Sequence, residues 1–96
     1  MSNSTLVLPE DFDDYEWEVK AKGFFSDRCL STSGKHYRLN FYDRVRLQQE
    51  VEDALQLGGV FFEPNLVVVD SVTRFDMEQA AQILMRSGQA VSLIEE

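Results

Sequence analysis

Hydrophobic residues recur at two spacings along this chain, and the spacing assigns the elements. Tyr15, Trp17, Val19 and Ala21 alternate with Glu16, Glu18, Lys20 and Lys22, the period of two that sets one strand face on a core and the other in water. Tyr37, Leu39 and Phe41 alternate with His36, Arg38 and Asn40 in the same way, so the two segments are expected to pair as an antiparallel hairpin. Gly23 interrupts the first segment ahead of Phe24-Phe25, as a bend or bulge does. The Ser-, Asp- and Gly-containing stretch 26–34 reads as the connecting loop. Leu66-Val67-Val68-Val69 is an unbroken run of branched aliphatics, the pattern of a strand covered on both faces, and it is expected to be the central strand. Ala90 to Ile94 supplies a final strand beside it.

Spacings of three and four mark two helices. Leu47, Val51, Ala54 and Leu55 make a stripe from Arg44 to Leu57, with Asp43 as N-cap and Gly58-Gly59 as the stop. Arg44 and Arg46 occupy the first turn, where the helix dipole disfavours positive charge by about a few tenths of a kcal/mol. An Arg46–Glu50 ion pair at i, i+4 is the expected compensation. The second helix runs from Arg74 to Ser87. Thr73 caps it, Asp76 completes a capping box, and Val72 and Met77 form a hydrophobic staple. Met77, Ala80, Ala81 and Leu84 form its buried stripe, with Ile83 at the flank, and Gly88 ends it. Between the helices, Val60-Phe61-Phe62 precedes the turn residues Glu63-Pro64-Asn65. A tight hairpin and a single region kinked at Pro64 both fit, and the kink is preferred. The order is β-β-α-β-α-β: an α+β two-layer sandwich, with a mixed four-stranded sheet and two helices packed on one face. The last crossover is expected to be right-handed.

At 96 residues the chain has room for one core, so a single domain is expected over 15–96, behind an acidic, partly disordered tail over 1–14. No apolar run approaches the ~20 residues of a membrane helix. The first residues carry no basic, apolar leader, so a cytoplasmic protein without a membrane partner is expected. The net charge is −8, which argues against nucleic acid. Its distribution is uneven: Met1–Val19 holds six acids and no base, Lys20–Arg46 seven bases and two acids, and Leu47–Glu96 nine acids and two bases.

Reactive groups are sparse. Cys29 is the single cysteine and His36 the single histidine, seven positions apart and without a third residue to orient them as a nucleophilic pair. Asp11 and Asp13 resemble the start of a calcium loop, but Glu16 and Lys22 stand where glycine and the bidentate acid are required. No zinc, phosphate-loop or nucleophile-elbow spacing occurs. Neither an enzyme nor a cofactor is expected. A protein-binding module is: a small acidic domain suits a basic protein partner, as immunity or inhibitor proteins do, through electrostatic steering. The candidate contact residues are Glu10, Asp11, Asp13, Asp14, Glu16, Glu18, Glu50, Glu52 and Asp53. Tyr15, Trp17, Phe24, Phe25 and Tyr42 are anchors if exposed. Two alternatives are a self-associating regulatory or accessory domain, forming a homodimer, and a small ligand-binding protein or enzyme. The latter would use the strand end at Asp70, Ser71 and Thr73, the His36/Arg38 face, or Arg44 and Arg46.

Overall fold

Residues 5–30, 34, 36–88 and 93–94 are described by a computed structural model. The elements are β1 (Thr5–Leu6), α1 (Phe12–Lys22), β2 (Phe24–Leu30), β3 (His36–Tyr42), α2 (Arg44–Gln56), β4 (Leu66–Val68) and α3 (Arg74–Arg86). Among the described residues the class is α+β, with three helices and a mixed sheet of order β1-β2-β3-β4. β1 adds only a two-residue margin to it. β2 is antiparallel to β3 from Phe24↔Tyr42 to Leu30↔His36, and β4 runs parallel to β3 from Asn40↔Leu66 to Tyr42↔Val68.

Alternation in β3 decides where the core lies. Tyr37, Leu39 and Phe41 are buried, and against them pack Phe12 and Val19 of α1, Met77 and Ala81 of α3, and Val69 and Val72 from the connection between β4 and α3. The Phe12 ring meets Phe25 and Tyr15 edge-on, with centroids 5.2 and 5.5 Å away. Tyr42 belongs to the alternate set of β3 positions. Its ring lies 4.9 Å from that of Phe24 and 6.4 Å from that of Phe61, and its hydroxyl donates to Glu63.

Several expectations are corrected. Tyr15–Lys22 is not a strand but most of α1. The segment satisfies two periods at once: Phe12, Tyr15 and Val19 are spaced i, i+3, i+7, and the core takes that set and leaves Trp17 outside. The ends favour the helix as well, with Asp13 and Asp14 in the first turn, Lys20 and Lys22 in the last, and Gly23 at φ 74° donating its N–H to the Val19 carbonyl. The hairpin partner of β3 is therefore β2, which occupies half of the expected loop. Sheet pairing on both sides of β2 replaces the alternation its sequence lacks. Among the described residues Leu66–Val68 is the last strand in the order rather than the central one, and Leu66 and Val68 are exposed. Only its alternate side, with Val67 against the core, is covered.

The helices differ in the same instructive way. α3 has the expected cap and staple: Thr73 Oγ1 accepts from the Asp76 N–H at 3.3 Å, and Val72 and Met77 are fully buried. Asp76 reaches back to the Ser71 N–H at 3.1 Å rather than to the cap residue itself. α2 is capped by Asp43 through the Arg46 N–H at 2.8 Å. It buries no residue; Leu47, Val51 and Ala54 are half-buried and Leu55 is exposed. The helices that cover the core face of β3 are thus α1 and α3, not the predicted pair. Val60–Phe62 forms no strand, and Asn65 turns the chain at φ 55°. Of the N-terminal stretch, Thr5–Leu6 pairs with β2 and Phe12 is fully buried; residues 1–4 lie outside the described residues. So do 90–92 of the predicted final strand, while the Asn65 side chain accepts from the Ile94 N–H at 2.7 Å and donates to its carbonyl at 2.9 Å.

Candidate interaction surface

On α1 the core takes one side and water the other. α1 is kinked at Tyr15, whose φ −129° and ψ 17° are not helical, so Asp14 precedes the kink and Trp17, Glu18 and Ala21 follow it; all four are exposed. Trp17 is 71% exposed, a large apolar surface left in solvent. Glu10 and Asp11, also exposed, extend the acidic run ahead of the helix. Beside this face, a groove of about 420 Å³ between α1 and β2 is lined by Tyr15, Glu18, Lys22, Phe24 and Phe25.

Two predicted contact acids on α1 are instead engaged within the fold. Asp13 Oδ1 lies 3.1 Å from Arg74 Nε and 3.0 Å from a terminal guanidinium nitrogen. Glu16 accepts the Arg74 backbone N–H at 2.7 Å. Arg74 also faces Glu78 at 3.6 Å, and its guanidinium sits 5.5 Å above the Phe12 ring. The hydrogen bond to Asp13, helped by the charges of Asp13, Glu78 and Glu16, holds the guanidinium even more firmly protonated than usual, against a smaller opposing effect of burial. These contacts join the N-terminal turns of α1 and α3. They also place a carboxylate of the chain itself on the N-terminus of α3, where an outside anion would otherwise bind.

The remaining groups at the end of β4 are similarly engaged: Ser71 with Asp76, Thr73 with Asp76, and exposed Asp70 with Arg44 at 3.1 Å. On α2, Glu50 pairs with Arg46 at 2.9 Å and Glu52 accepts from Gln48 at 3.2 Å, while Asp53 is exposed. A terminal nitrogen of Arg46 further donates to the Lys22 carbonyl at 3.3 Å, so Arg46 ties the C-terminus of α1 to the start of α2. His36 and Arg38 are exposed on β3, and the register sets Cys29 opposite Tyr37. Among the described residues, no group of three or more His, Cys, Asp or Glu is placed to hold a metal ion. No described helix is long and apolar enough to cross a membrane.

Of the nine candidate acids, the structure thus leaves Glu10, Asp11, Asp14 and Glu18 exposed along α1 and the turn before it. It turns Asp13 and Glu16 toward Arg74, and leaves Glu50, Glu52 and Asp53 on a separate helix. Trp17 is the residue that a strand assignment turns inward and the structure turns out. The i, i+3, i+7 spacing of Phe12, Tyr15 and Val19 is the signal that could have found it. Comparison with protein-family models, with curated proteins and with solved structures gives no match for this chain.

Proposed function

We propose that this chain is a non-catalytic protein-binding module of the immunity or inhibitor kind, taking a basic protein partner on the outer face of α1. The observation that carries the reading is Trp17, 71% exposed on a segment whose Asp14 and Glu18 are exposed too. Tryptophan is enriched among residues that dominate binding energy, because it buries a large rigid surface at small entropic cost. A solvent-facing indole on an acidic segment suits a partner that offers an apolar socket with Lys or Arg at its rim. Glu10, Asp11, Asp14 and Glu18 would steer that partner and disfavour acidic competitors. Asp13 and Glu16 contribute indirectly, by fixing α1 against α3.

The test is affinity capture on the immobilised full chain at low salt, with the W17A/D14N/E18Q variant in parallel. All three substitutions fall on exposed positions, so the variant keeps its fold, which circular dichroism verifies. The expected result is a basic polypeptide retained by the wild type, released by salt and lost by the variant. If no basic polypeptide distinguishes the two columns, the proposal is wrong.

A further inference from the structure

The groove between α1 and β2 runs along an edge of the sheet. β1 meets β2 only at Leu30 and Cys29, so among the described residues no strand lies against Phe24 and Ser26 on that side. The ladder on the opposite side fixes where their backbone groups point. The Asn40 N–H donates to the Asn65 carbonyl at 3.0 Å and the Tyr42 carbonyl accepts from the Val69 N–H at 2.9 Å, so these two residues of β3 turn toward β4. Leu39 and Phe41 therefore exchange hydrogen bonds with their register partners Asp27 and Phe25 of β2. The bond from the Asp43 N–H to the Gly23 carbonyl at 2.9 Å keeps the same phase. Alternation then directs the N–H and C=O of Phe24 and Ser26 away from β3, to the open edge. Leu30 has the same phase, and it is the residue that β1 meets through Thr5.

The recess beside this edge also has room and walls for side chains. Tyr15, Val19 and Phe25 line it with apolar surface, and Glu18 and Lys22 supply charge. Its volume of about 420 Å³ falls within the roughly 300–1,000 Å³ of ligand pockets. The backbone groups select the kind of occupant. Two outward donor–acceptor pairs, two residues or about 7 Å apart along a strand, match the repeat of an extended polypeptide. A helix, whose backbone groups are bonded internally, offers no such row.

A second copy of the chain is poorly suited to supply that strand from its own β2, because the same edge there lies beside its own α1. The net charge of −8 on each copy opposes their approach as well. We infer that the edge of β2 at Phe24–Ser26 accepts an extended segment of another protein as an added strand. A residue of that segment opposite Phe25 shares its sheet face, so an apolar side chain there enters the recess against Tyr15 and Val19, while its two neighbours bond the backbone of Phe24 and Ser26. Trp17 does not line the groove, and this site stands apart from the one proposed on the outer face of α1.

The probe is a capped Thr-Val-Phe-Val-Thr peptide, built from strand-forming residues and added to the full chain while amide hydrogen exchange is followed by NMR. In the free protein the Phe25 and Asp27 amides should be protected and those of Phe24 and Ser26 should exchange fast; the peptide should slow the latter pair. Methylating the two Val nitrogens of the peptide removes the donors that face β2 and should weaken binding at least about tenfold, whereas methylating the Phe nitrogen, which faces away, should not. S26P removes one outward N–H without touching the ladder to β3, a place where an edge strand tolerates proline, and should also cost about tenfold or more; circular dichroism verifies its fold, and the methylated peptides need no variant. W17A should bind the peptide as the wild type does. Phe24 and Ser26 amides already protected in the free chain, or unaffected by millimolar peptide, overturn the inference. So do equal losses from both methylation patterns, or a loss in W17A, and the α1 proposal keeps its own test in each case. Sedimentation showing a wild-type dimer that S26P abolishes also overturns it, by assigning the edge to self-association.

Discussion

Replacing Gly23 with alanine tests the junction that positions α1. Gly23 has φ 74°, and a Cβ there would stand 2.6 and 2.7 Å from the two carboxylate oxygens of Asp43. That carboxylate is not free to retreat, because it caps α2 through the Arg46 N–H at 2.8 Å while the Asp43 N–H donates to the Gly23 carbonyl at 2.9 Å. Left-handed backbone costs a non-glycine residue about 1–2 kcal/mol. Displacing the cap costs about 1 kcal/mol more, so G23A should lose about 2–3 kcal/mol in all. D43A alone, which removes only the cap, should cost about 1 kcal/mol. In the D43A background the cap is already gone and the clash relieved, so G23A should then cost only its backbone strain. The double variant is expected to match G23A, a coupling of about 1 kcal/mol. Urea unfolding followed by far-ultraviolet circular dichroism measures all three, provided the m-values agree. Strictly additive losses, or a G23A variant as stable as the wild type, would refute this geometry.

Three further outcomes follow from the same packing. Phe12 is fully buried and touches the Phe25 and Tyr15 rings, so F12A should cost about 3–5 kcal/mol in urea unfolding, whereas no loss would mean that the segment is a loose tail. Glu16 caps α3 from α1 at 2.7 Å, and E16A should cost about 1 kcal/mol by the same assay; a change within a few tenths would deny the contact. Burial first, then the hydrogen bond to Glu63 and its charge, push the Tyr42 phenol well above its ordinary value. A folded-state value raised in this way stabilises the fold fully below the unfolded tyrosine pKa of about 10, and that contribution is lost as pH climbs beyond it. Absorbance titration should show a late tyrosine that Y42F removes and E63Q moves earlier; all tyrosines ionising together would contradict the pairing.

What was legible in the sequence is what local chemistry alone determines. Thr73 and Asp43 cap their helices because a short polar side chain before an apolar stripe has few other uses, and Tyr37, Leu39 and Phe41 alternate without competition from another period. α1 was illegible as a helix because Tyr15 and Val19 serve both periods, and only Phe12 upstream breaks the tie. β2 was illegible because Ser26-Asp27-Arg28-Cys29 has no alternation of its own and gains its strand from neighbours distant in sequence. The run Leu66–Val69 suggested cover on both faces, yet branched aliphatics equally suit a strand whose outer side stays exposed. For the interaction surface, the acids could be counted in advance. Which of them Arg74 and Arg46 would claim depended on the packing of α1 against α3 and on the start of α2.

Trp17 is the single tryptophan, so its fluorescence probes the central claim without labelling. With α1 a helix and Trp17 its outward anchor, the free protein should emit at the red end of the indole range and be quenched by acrylamide almost as readily as a free indole. Blue-shifted emission shielded from acrylamide in the isolated chain would contradict the account, because an inward Trp17 belongs to a strand and leaves the acidic face of α1 without its anchor.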